Sequence, residues 1–74
     1  MERVIKILKD LHPEIDFEKC TTLIDDQLFD SFDIVTTIAE LSAEFDIEIP
    51  PQEIVASNFN SAKALYDMVQ RLQD

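Results

Sequence analysis

The side chains of this chain that could do chemistry are its sixteen acids, one histidine, one cysteine and a serine set among acids, Ser31. The acids raise metal binding first. A calcium loop of the EF-hand type needs spaced acids, a glycine for its sharp turn and a closing glutamate, and the chain has no glycine. Cys20 and His12 are too few for a zinc quartet and stand in no ligand-spaced motif, so no metal site is expected and His12 reads as a helix-end residue. Nucleophilic catalysis would need a base that orients the nucleophile, and the one histidine lies in a different segment from Ser31. The paired carboxylates Asp25-Asp26, and Asp30 with Asp33, read as caps and solvated charges, because a chain this short leaves little room for a cavity that would tune them. What remains is the run Leu28-Phe29-Asp30-Ser31-Phe32-Asp33. It places a serine hydroxyl where the amides and dipole of a helix start favour an attached phosphate, with an apolar neighbour and acids on both sides, although by residue type alone Asp-Ser-x-Asp is also an ordinary helix start.

The elements that must position this run follow from spacing. Val4, Ile5, Leu8 and Leu11 recur at helical intervals until His12-Pro13, which predicts a first helix from about residue 2 to 12. From Pro13 to Asp30 the periodicity fades. This reads as a long loop whose apolar members Ile15, Phe17, Leu23, Ile24, Leu28 and Phe29 plug the core, and so long a loop in so small a domain points to function. Asp30 and Ser31 are both good N-cap residues, and Asp33 adds a carboxylate to the first turn. A second helix starts there and ends near Phe45 or Asp46, with Ile34, Ile38, Leu41 and Phe45 inward and Phe32, Val35 and Ala39 on a second stripe. Ile47-Glu48-Ile49 is expected to be an extended connector into Pro50-Pro51, and Gln52 to Ala56 a short helix opened by Pro51. Asn58, or Asn60 and Ser61, would cap a last helix with Ala62, Leu65, Val69 and Leu72 inward. The expected fold is all-α, one domain over residues 1–74: a small bundle of three main helices plus one short helix.

Composition bounds the function. At 46% hydrophobic and 30% charged, the chain is too apolar to be a disordered acidic tail. A net charge of −10 argues against nucleic acid, where Lys and Arg supply most of the affinity. No Lys or Arg occurs between Lys19 and Lys63, a span that holds nine acids and reads equally as a field that steers a basic partner or as a solvated surface that only keeps the protein soluble. No stretch approaches the apolar length of a membrane span. With one cysteine and no signal-like N-terminus, a cytoplasmic monomer is expected.

Asp30-Ser31-Phe32-Asp33, followed by Val35, Leu41, Glu44-Phe45 and Ile49-Pro50, resembles the acyl carrier protein family, whose usual pattern is Asp-Ser-Leu-Asp, a helix ending in Glu-x-Phe and a short Ile-Pro connector. The resemblance runs from about Leu23 to the last helix, while length, charge and helix pattern agree throughout. It implies an acyl-carrier-like bundle in which Ser31 takes 4′-phosphopantetheine, delivered from coenzyme A by a phosphopantetheinyl transferase as a phosphodiester. The serine would then be a tether and the chain no enzyme. The arm's thiol would carry an acyl or aminoacyl group as a thioester and present it to loading and processing enzymes. The resemblance further implies docking of those enzymes, through basic patches, onto the second helix: Phe32, Val35 and Ala39 as apolar contacts, Asp30 and Asp33 beside them, and Glu40 and Glu44 as the other acids on that helix.

The chain also departs from the family pattern. Thr36, Ser42 and Ala43 stand where fatty-acid carriers show further glutamates, and Phe32 replaces leucine. Gln27 stands where related carriers often have glycine, in a run Asp26-Gln27-Leu28-Phe29-Asp30-Ser31 that is also similar to D-alanyl and other aminoacyl carriers. The cargo, whether fatty acyl, polyketide or aminoacyl, stays open. An alternative from another class is an arm-free acidic helical module that binds partners through the Asp33, Glu40 and Glu44 face.

Overall fold

The computed structural model describes residues 2–73 and is an all-α bundle: α1 (Glu2–Leu11), α2 (Ser31–Phe45), a short α3 (Ala56–Phe59) and α4 (Ala62–Gln73). The three long helices pack on one another and α3 packs on α4. Among the described residues no helix is long and apolar enough to cross a membrane.

α1 buries Val4 and Leu8, one turn apart, and stops because Pro13 cannot continue a ladder and disfavours helical geometry at the residue before it. The long loop from His12 to Asp30 folds as a series of turns. Ile15, Phe17, Leu23 and Phe29 enter the core as expected and Ile24 is half-buried, but Leu28 is 41% exposed. The reason lies next to it, where Gln27 takes a left-handed backbone (φ 58°) that turns the chain before Leu28. This conformation costs a residue with a Cβ more than it costs glycine. Asn60 anchors the same loop from the α3–α4 corner: its Oδ1 accepts the backbone N–H groups of Ile24 (2.9 Å) and Asp25 (3.0 Å), and its carbonyl accepts Leu23 N–H at 2.9 Å.

α2 ends at Phe45, with Asp46 in the left-handed region (φ 52°) donating its N–H to the Ser42 carbonyl. Its inward stripe contains Leu41 and half-buried Ile34, Ile38 and Phe45, as the spacing predicts, together with fully buried Thr37. Residues 47–49 run extended into the prolines, with Ile49 buried.

The expected helix over Gln52–Ala56 is corrected. A 3-10 turn spans Pro51–Glu53, the chain opens at Val55 (φ −131°, ψ 154°), and α3 begins at Ala56. Two β-branched residues, Ile54 and Val55, interrupt the ladder, and starting α3 at Ala56 brings Phe59 into the core at 1% exposure. α4 then buries Ala62, Leu65, Met68 and Val69, with Leu72 half-buried at its end.

Candidate functional site

The start of α2 is built by a capping box. Asp30, in extended geometry, accepts the Asp33 N–H on its carboxylate at 2.8 Å, and the Asp33 carboxylate faces back to the Asp30 N–H at 3.4 Å. Of the two cap candidates, Asp30 is therefore the cap and Ser31 the first helical residue. Ser31 is exposed and its hydroxyl makes no hydrogen bond among the described residues.

An apolar surface surrounds it. Phe32 is 74% and Val35 63% exposed, and Ala39, one further turn along, is exposed as well. These three form the outward stripe of α2. One turn from Ser31 on the other side, Ile34 lines a small apolar cleft of about 70 Å³ with Ile24, Ile54, Val55, Ala56 and Phe59. Ile54 and Val55 at its rim are 42% and 46% exposed, a feature that local spacing in the sequence does not show.

The acids expected on the docking face, Asp30, Asp33, Glu40 and Glu44, divide into two kinds. Asp33 Oδ2 lies 2.8 Å from His12 Nε2, and His12 Nδ1 lies 2.8 Å from Glu14 Oε2. At the far end of α2, Arg3 Nε donates to Glu44 Oε2 at 2.6 Å, Arg3 also donates to the Glu44 carbonyl at 3.0 Å, and its guanidinium sits 4.6 Å over the Phe45 ring. Asp33 and Glu44 are thus partnered within the chain. Asp30 and Glu40 are exposed and form no ion pair among the described residues. His12 and Arg3 lie 21 and 41 residues from their partners, so periodicity could not have paired them.

The hydrogen bond to Asp33, and then that to Glu14, holds the His12 ring charged to higher pH than the usual histidine. Glu14 is shifted the other way, first by its own backbone N–H and then by His12, and stays ionised to lower pH than an ordinary glutamate. Among the described residues no three His, Cys, Asp or Glu side chains converge as metal ligands, and Cys20 is a half-buried free thiol. Ser31, Asp30, Phe32, Asp33 and Val35 share the first turns of α2, whereas Ala39, Glu40 and Glu44 extend the same helix towards its end. Compared with family models, with curated proteins and with solved structures, the chain finds no match.

Proposed function

We propose that this chain is a carrier of the acyl carrier protein kind, in which the Ser31 hydroxyl is the attachment point of 4′-phosphopantetheine. The observation that carries this reading is the spare hydroxyl: Asp30 performs the capping that a serine at a helix start ordinarily performs, and Ser31 is exposed and without a hydrogen-bond partner among the described residues. A phosphodiester formed there would sit at the positive end of a helix of fifteen residues. Its arm would leave from a surface rimmed by Phe32 and Val35, with the small apolar cleft one turn away.

In this role the chain is a tether rather than a catalyst, holding a thioester at high effective concentration before each docked enzyme. Partners would contact Phe32, Val35 and Ala39, with Asp30 and Glu40 as the charges left to meet basic groups. The in-chain pairing of Asp33 and Glu44 weakens the acidic face on which an arm-free interaction module would rest. The cargo class, among fatty acyl, polyketide and aminoacyl groups, belongs to the loading enzymes.

The test is intact mass after incubation with coenzyme A, magnesium and a broad-specificity phosphopantetheinyl transferase. The wild type should gain one phosphopantetheinyl group and Ser31→Ala none. A folded wild type that stays unmodified with two such transferases would count for the arm-free module.

A further inference from the structure

His12 follows the last residue of α1 and closes that helix, donating its backbone N–H to the Leu8 carbonyl at 2.9 Å. Both ring nitrogens lie 2.8 Å from carboxylate oxygens, Nε2 from Asp33 and Nδ1 from Glu14. A neutral imidazole has one N–H and one lone pair, so it satisfies one carboxylate and turns its lone pair on the other. Only the imidazolium satisfies both. The ring is held in place by Phe29 (centroids 5.3 Å apart), which itself meets Phe17 edge-on in the core at 6.1 Å. The charged groups that face it are Asp33 from α2 and Glu14 from its own loop, and Phe29 contributes an apolar surface.

The oxygen that His12 holds has a second role. Asp33 Oδ2 is also the acceptor facing the Asp30 N–H, the returning half of the capping box. The link from the end of α1 therefore runs through Asp33 to the backbone on either side of Ser31.

We propose that His12 is a positioning residue for the Ser31 site, which as imidazolium ties the first turn of α2 to the end of α1 and on losing its proton lets that turn loosen. The inference rests on the carrier reading only for its consequence, the presentation of Ser31; the link itself can be read without any arm. Because the folded-state titration is raised above the usual 6.5, the stabilisation is complete below that value and is lost as pH rises through the folded-state one.

The experiment is NMR on the unmodified full chain, following the His12 ring and the hydrogen-exchange protection of the Asp33 and Ile34 amides, corrected for intrinsic exchange, with α4 amides as the internal reference. His12 should titrate above 6.5. Protection at Asp33 and Ile34 should fall several-fold across the same midpoint, and in His12→Gln it should be low at every pH. Glu14→Gln should lower the midpoint while keeping the coupling, because the Asp33 contact remains. In a second measurement, the rate of phosphopantetheine addition relative to a control carrier should fall with the His12 midpoint in the wild type and lose that dependence in His12→Gln. Protection at Asp33 and Ile34 that is flat through the His12 titration, or a His12 midpoint at or below 6.5, would overturn the proposal. If the coupling is found and no serine accepts the arm, the carrier reading fails and the link stands.

Discussion

Two helices of this molecule begin at or just after a serine that follows an Asp or Asn, Asp30-Ser31 at α2 and Asn60-Ser61 at α4, and the two serines are used in opposite ways. Ser61 stands one residue before α4 and its Oγ accepts the Ala64 N–H at 3.0 Å, so the backbone consumes the hydroxyl. Ser31 stands one residue inside α2, where Asp30 has taken the cap and the hydroxyl is left over. The surroundings follow the same division. Beyond Ser61 lie Ala62 and Leu65, both fully buried, and beside it Asn60 pins the long loop; beyond Ser31 lie Phe32 and Val35, mostly exposed. An offset of one residue from the cap separates a serine that serves the fold from one available for chemistry. The apolar neighbours divide likewise into Ala62 and Leu65, which build the core, and Phe32 and Val35, which stay exposed.

Each of the two caps can be removed by itself. Removing the consumed hydroxyl or the capping carboxylate, with Ser61→Ala or Asp30→Ala, should each cost about 0.5–2 kcal/mol in urea unfolding, a large share of the stability of so small a domain. Asp30→Ala should do something further: with the carboxylate gone, Ser31 becomes the best available cap, and its addition of phosphopantetheine should slow relative to Asp30→Asn, which keeps a capping oxygen. Equal rates in the two variants would show that cap duty does not govern the hydroxyl. A smaller effect is expected from pH. Glu14, shifted down, contributes its stabilisation above the ordinary glutamate range and loses it as pH falls through its folded-state value, while His12 loses its own on the alkaline side. The melting temperature of the wild type relative to His12→Gln should therefore narrow above neutrality, and a constant difference from pH 6 upwards (about the unperturbed histidine range) would contradict the link. Smallest of all should be Ser31→Ala and Phe32→Ala, each within about 0.5 kcal/mol of the wild type because neither side chain holds the fold together. Phe32→Ala should nonetheless weaken transferase binding, read as a raised KM for the carrier.

The three long helices were legible because their inward residues keep intervals of three and four and because Pro13 and the caps mark their ends. What escaped the pattern did so for identifiable reasons. Thr37 lies on the inward stripe between Ile34 and Leu41, yet its polar type hid its complete burial, and its Oγ1 finds no partner among the described residues. Met68 is equally buried between Leu65 and Val69. The short helix was misplaced because Gln52–Ala56 carries no periodicity, and its true position is set by the burial of Phe59. At the site, types and spacing marked Ser31 at a helix start and a second apolar stripe of Phe32, Val35 and Ala39, but only the family resemblance singled them out, since apolar types by themselves do not signal exposure. The partners of its acids could not be read, since His12 and Arg3 reach them only after α1 has packed on α2. Nor could local signals choose between Asp30 and Ser31 as the cap, on which the reading of the site depends.

The chain holds four serines, Ser31, Ser42, Ser57 and Ser61, and the most direct measurement is tandem mass spectrometry that locates phosphopantetheine on the transferase-treated protein. A single adduct is expected on Ser31, undiminished in Ser61→Ala. An adduct on any other serine, or an unmodified chain shown to be folded, would contradict the Ser31 assignment.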